Sequence, residues 1–243
     1  MSENGEEEAP KIIVDSESEG EDFPPQEPKV LTNELVASGL SKLSKTADGS
    51  NVAFVNLDLK AQSIESLGEV LRQYEHLRDV DVSGNKLKEV HQIASLPYLL
   101  KLNAARNQVE SVMFLAHEYE SLRFLARLQL SHNKITAVPE IPQANLLHLD
   151  LSNNLIETAR EFKGHRNLRE FNLENNKLAS IVGLANMPNL EVLNLTNNQI
   201  TNLDTLNCVG SLKKLLLKNN PITDCNSFSC FLSNVTYLDL SNT

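Results

Sequence analysis

Residues Leu168–Leu178 read LREFNLENNKL, a phrase with apolar residues at Leu168, Phe171, Leu173 and Leu178 and asparagine at Asn176. The same phrase returns along the chain with Asn85, Asn107, Asn133, Asn154, Asn198 and Asn220 at the asparagine place. From Asn85 to Asn220 successive asparagines stand 22, 26, 21, 22, 22 and 22 residues apart. A fixed period of that size means one small structural unit repeated, each unit burying its apolar face only against its neighbours.

Within a unit the pattern is that of a short strand. In Val192–Thr196, Leu193 and Leu195 point one way and Val192, Asn194 and Thr196 the other. Each repeat therefore lays one strand beside the last, in parallel, with the leucines stacked inward. The asparagine turns the chain, and its amide can serve backbone groups of its own and neighbouring turns. The column Asn85 to Asn220 is accordingly structural. Phrase and period resemble the leucine-rich repeats of the intracellular 22-residue class. That resemblance implies a right-handed α/β solenoid with a concave parallel sheet and short helices or 3-10 turns on the convex side. It also implies a helical N-terminal cap and a short C-terminal cap.

Four regions follow in order. Residues 1–28 hold ten acids and one base, a net charge of -9 against -10 for the whole chain, so the remaining 215 residues carry only -1. With Pro10, Pro24, Pro25 and Pro28 and one apolar island, Ile12-Ile13-Val14, this segment is expected to be a disordered acidic tail. Ser16 and Ser18 each precede a glutamate by three residues, a context favoured by acid-directed kinases. Residues 29–53 are expected to form a helical cap, with Leu35, Val36, Gly39, Leu40 and Leu43 on one face and Thr32 capping its start. Residues 54–222 hold the repeats, the first degenerate, with Gln62 in the asparagine place. Residues 223–243 are expected to cap the far end, with Phe228, Phe231 and Leu232 over the last leucine layer and Leu238–Leu240 closing the sheet.

Two irregularities interrupt the period. The four extra residues between Asn107 and Asn133 predict a longer convex helix, with Phe114, Tyr119 and Phe124 packing inward. The next repeat is one residue short and carries Pro139 and Pro142, which predicts an extended convex side.

Composition excludes several classes of function. A near-neutral repeat body speaks against nucleic acid or an acidic membrane as partner. The acidic start has no apolar run of a signal peptide, and no stretch of about 18 apolar residues occurs. Three cysteines, Cys208, Cys225 and Cys230, with no C-x-x-C pair, suit buried thiols in an intracellular protein, the alternative being a Cys225–Cys230 metal or disulfide pair. No phosphate-loop, nucleophile-elbow or zinc-protease motif is present, and the six histidines are scattered, with His132 and His148 the one pair that adjacent strands could bring together. No enzyme, cofactor, metal or small-molecule substrate is expected.

What remains is a surface. The outward positions beside the inward leucines line the concave face. Along it run Lys101 and Arg127, then His148, Glu170 and Glu174, then Lys214, Leu216, Lys218 and Tyr237. Such a charge mosaic suits a protein or peptide partner better than a polyanion. Leu216 and Tyr237, outward and apolar, are the expected anchors.

Residues 31 to about 110 carry a second resemblance. LTNELVASGLSKLSKTADG, AFVNLDLK, LRQYEHLRDVDVSGNKLKEV and LPYLLKLNAARNQV occur in that order. They resemble the N-terminal region of the leucine-rich-repeat radial spoke protein of motile cilia and flagella, and NPITD with NVTYLDL resembles that family's cap. The resemblance implies a non-catalytic scaffold of the axoneme, a monomer within a larger assembly whose partners are radial spoke subunits. The alternative is a regulatory subunit of type 1 protein phosphatase or another intracellular adaptor of the same repeat class.

Overall fold

Three-residue strands recur wherever the repeat phrase sets its paired apolar positions. The computed structural model describes residues 27–117, 121–203, 210–223 and 234–243. A short helix α1 (Asn33–Gly39) and a strand β1 (Leu40–Lys45) precede β2 (Val52–Asp58). Then follow β3 (Asp79–Asp81), β4 (Lys101–Asn103), β5 (Arg127–Gln129), β6 (His148–Asp150), β7 (Glu170–Asn172), β8 (Val192–Asn194), β9 (Lys214–Leu216) and β10 (Tyr237–Asp239). Neighbours in sequence are neighbours in the sheet, and every pairing from β2 to β10 is parallel. The register is in step: Asp79 faces Lys101, Lys101 faces Arg127, and Glu170 faces Val192. The fold is the expected parallel-sheet solenoid.

The middle residue of each three-residue strand from β3 to β9 points into one continuous core. Val80, Leu102, Leu128, Leu149, Phe171, Leu193 and Leu215 are all buried. Phe171, in a leucine's place, packs against Phe162 from the convex side, ring centroids 5.2 Å apart. The described convex side is turns, two 3-10 segments (Val70–Gln73 and His91–Ser95) and one short helix, α2 (Phe114–His117). Where Pro139 and Pro142 stand it runs extended, bridged by Ala137 and Thr158. Convex turns pack so tightly that Gly183, at φ +97°, would put a Cβ 2.0 Å from the Ala159 carbonyl oxygen.

The turn asparagines hold the stack together. Asn176 Nδ2 donates to Leu173 O in its own repeat and to Leu151 O in the repeat before, both at 3.0 Å. Its Oδ1 accepts from Ile156 N at 3.0 Å. The same three-way bond is made by Asn85, Asn107, Asn133, Asn154, Asn198 and Asn220, all buried. Each amide satisfies backbone groups that would otherwise be stranded in the core, at about 1–3 kcal/mol per orphaned group.

The opening segment departs from the expected long helix. Thr32 does cap α1, its Oγ1 accepting from Leu35 N, and Val36 is fully buried. The helix ends at Gly39, and Leu40–Lys45 instead forms an antiparallel strand on β2, Leu40 opposite Leu57 and Leu43 opposite Phe54. Strand β2 would otherwise end the sheet with a row of unpaired N–H and C=O groups, and β1 satisfies them. Gly39 permits the change of direction: a Cβ there would lie 2.4 Å from Asp58 O. Leu43 therefore leaves the core and is 60% exposed. The expected helix in the long repeat is described only over α2. Phe114 packs against the core, Phe124 is 36% exposed, and Tyr119 lies outside the described residues. So do Cys208, Cys225, Cys230, Phe228, Phe231, Leu232, Ser16 and Ser18.

Candidate functional site

The two outward columns of the concave sheet have different tasks. The column at the end of each strand is largely occupied with shaping the chain. Asp81, Asn103, Asp150, Asn172, Asn194 and Asp239 each accept, through Oδ1, the backbone N–H two residues on, at 3.0–3.1 Å. These side chains turn the chain out of the strand, and Ser83, Ser152 and Ser241 add a hydroxyl bond to the same oxygen. The Ser241 hydroxyl, then its N–H, holds the Asp239 carboxyl below the usual carboxylate range. In Asp58 the N–H of Lys60 does the same. Leu216 occupies this column but has no acceptor to offer. The repeat of Asn220 has given up the turn bond for an apolar side chain facing outward.

The column at the start of each strand carries the variable chemistry. Lys101 Nζ lies 3.5 Å from Asp79 Oδ2. His148 Nδ1 lies 2.9 Å from Glu170 Oε2, but outside hydrogen-bond alignment. Lys214 Nζ sits 5.2 Å from the centroid of the Tyr237 ring. Asn194 Nδ2 donates to Glu174 Oε2 at 3.0 Å. Between β5 and β9 these columns bound a shallow groove, lined by Arg127, His148, Glu170, Val192, Lys214 and Leu216. Four strand spacings make it roughly 19 Å long.

Of the surface residues named from the sequence, Arg127, His148, Glu170, Lys214 and Leu216 meet in this groove. Tyr237 adjoins it through its strand pairing with Lys214. Lys101 stands one strand beyond its N-terminal end, and Glu174 and Lys218 lie beside it, outside its lining. His132 does not approach His148. It sits in a left-handed turn at φ 56°, its N–H donating to Ser152 O, while His148 faces Arg127 and Glu170.

Val192 belongs to the groove because its outward neighbours are charged or polar and leave its methyls as part of the wall. Its place in the column was the only available signal. Two further ladders went unread in the sequence. Asn153, Asn175, Asn197, Asn219 and Asn242 all take positive φ, and their side chains bond in series, Asn175 to Asn153 at 2.9 Å and Asn242 to Asn219 at 2.8 Å. The recurring asparagine doublet was its signal, since asparagine tolerates the left-handed region. On the opposite rim, just before each strand's first leucine, His76, Tyr98 and Phe124 stack at 5.9 and 6.2 Å. From Asn145 onward that rim changes to side chain-to-backbone bonds, through Asn145, Asn167, Asn189 and Ser211.

Among the described residues, no group of three or more His, Cys, Asp or Glu side chains could hold a metal ion, and no helix is long and apolar enough to cross a membrane. The family profile described as "Leucine rich repeat" matches residues 123–178, and that described as "Leucine Rich repeats (2 copies)" matches residues 166–208. The chain is 36% identical over 126 residues to leucine-rich repeat-containing protein 23 of Bos taurus, covering 52% of this chain and 35% of that protein. To leucine-rich repeat-containing protein 23 of Homo sapiens it is 33% identical over 129 residues, covering 53% and 36%. The matched stretch thus spans about a third of these relatives' length. In fold, the chain is similar to an internalin of Listeria monocytogenes, with a TM-score of 0.55, 24% identity, and coverage of 78% of this chain and 62% of that one.

Proposed function

We propose that this leucine-rich-repeat solenoid is a non-catalytic scaffold that binds another protein along the groove between β5 and β9, and that it serves in the radial spokes of motile cilia or flagella. The observation that carries the binding reading is Leu216. A column otherwise used almost throughout to turn the chain carries there an apolar side chain that cannot do so, near Val192 and Lys214 at one end of the groove, with a second cation, Arg127, at the other. Neither cation has a carboxylate partner among the described residues, whereas Glu174 on the same face accepts from Asn194. A groove that leaves its bases open beside an outward leucine suits a partner segment with carboxylates flanking an apolar residue. The ciliary reading is supported by the resemblance of residues 31–110.

Proximity labelling in ciliated cells, with the natural chain and Leu216→Asp side by side, tests both parts. Radial spoke subunits should be labelled by the natural chain and several-fold less by the variant. Recovery of a phosphatase catalytic subunit without axonemal proteins would replace the ciliary reading. Equal labelling by both chains would move the contact off this groove.

A further inference from the structure

The hairpin of β1 and β2 presents three large apolar side chains to solvent on one face. Leu43 is 60%, Val52 64% and Phe54 44% exposed. Leu43 and Phe54 are cross-strand partners, and Val52 lies two residues from Phe54, so all three project from the same side, with Lys45 opposite Val52. Beside them is a hollow lined by Lys42, Arg78 and Lys101, whose one carboxylate, Asp79, already faces Lys101. Lys42 and Lys45 have no carboxylate within ion-pairing distance among the described residues. β1 is also the terminal strand of the sheet, its outer edge unpaired among the described residues. An apolar patch, an open strand edge and uncompensated cations together describe a seat for a segment that is β-branched at one end and acidic at the other.

Such a segment is written in the chain. Residues 11–22 read KIIVDSESEGED, three β-branched residues followed by five acids within eight positions. We propose that Ile12, Ile13 and Val14 seat against Leu43, Val52 and Phe54, and that the acids from Asp15 to Asp22 lie over Lys42, Lys45 and Arg78. The tether permits it. Lys29 is fixed to the first repeat, its carbonyl accepting from Glu65 N at 2.8 Å, at the same end of the solenoid as the hairpin. The 14 residues from Asp15 to Pro28 can span roughly 46 Å. A second copy of the hairpin is a poorer occupant, because it would bring Lys42 and Lys45 against their own counterparts. Phosphorylation of Ser16 and Ser18 would add roughly -1.5 to -2 charges each beside those lysines and tighten the seat. The surface is distinct from the concave groove, and its failure would leave the groove reading untouched.

The test is carbodiimide cross-linking of the full chain, as an equal mixture of unlabelled and ¹⁵N-labelled protein, read by mass spectrometry. The expected links join Asp15, Glu17 or Glu19 to Lys42 or Lys45, with both peptides of one isotope. In the full chain carrying Ile12→Ser, Ile13→Ser and Val14→Ser, those links should fall roughly tenfold, since burying one apolar side chain is already a tenfold effect on an equilibrium. Links of mixed isotope would overturn the proposal in favour of a second copy. Links unchanged by the serine substitutions, or spread evenly over all exposed lysines, would overturn it in favour of diffuse charge attraction.

Discussion

The Tyr237 ring carries the Lys214 ammonium 5.2 Å from its centroid, across the parallel pairing of β10 with β9. The pair fixes a cation at the end of the groove with a π face instead of a carboxylate, so its positive charge stays available to a partner. Tyr237→Phe should preserve both stability and binding, whereas Tyr237→Ser should lower stability by about 0.5–1 kcal/mol and weaken binding further. Chemical denaturation alongside a binding titration with the recovered partner checks the split. Equal behaviour of Phe and Ser would remove the ring from the site.

Neighbouring asparagines should respond very differently. Asn176→Ala strands a backbone N–H and two carbonyls in the core, and a loss of about 2–4 kcal/mol is expected. Asn175→Gly keeps the left-handed turn and loses only partly exposed ladder bonds, so it should cost less than about 1 kcal/mol. Urea unfolding of both variants decides; comparable losses would contradict the division of labour between the two columns.

Gly183→Ala should destabilise by more than about 2 kcal/mol, because the methyl group meets the Ala159 carbonyl at 2.0 Å in a backbone conformation an L-residue resists. Gly49→Ala, also at positive φ but with nothing within 4 Å, isolates the backbone part. Melting curves of the two variants should differ by the steric part alone.

Acid should loosen the stack at His165. This buried ring lies with Nε2 3.1 Å from Gln143 O, and its Nδ1 accepts from Leu168 N at 3.0 Å, an arrangement that requires the neutral ring. Burial holds its pKa below the ordinary 6.5, only partly offset by the Gln143 carbonyl. As pH falls through 6.5 the unfolded chain takes up a proton that the folded chain refuses, so stability falls with pH until the lowered folded pKa is passed. Above 6.5 this contribution is full and flat. Melting temperatures from pH 7.5 to 5 should drop more steeply for the natural chain than for His165→Gln, and parallel slopes would exclude His165 as the cause.

The spacing of Asn85 to Asn220 and the inward leucines made the solenoid legible, because both follow from one repeated local constraint. The β1 hairpin was not. LSKLSK continues the apolar spacing of a helix, and only the need to pair the β2 edge, set by residues remote in sequence, selects the strand. The groove was half legible. Periodicity brings Arg127, His148, Glu170, Lys214 and Leu216 to one face. Which charges remain open depends on partners such as Asn194 with Glu174, and a column of letters does not contain that geometry.

The two rims also bear on mechanics. Stacked rings from His76 to Phe124 can slide over one another with little change in energy, whereas directional amide bonds from Asn145 onward resist shear. A curved rod braced differently along its two halves has a built-in hinge where the bracing changes, here between Phe124 and Asn145, beside the four-residue insertion. Under load the molecule is expected to flex at that joint and to keep the part of the groove from β6 to β9 as a rigid unit, with Arg127 moving relative to it.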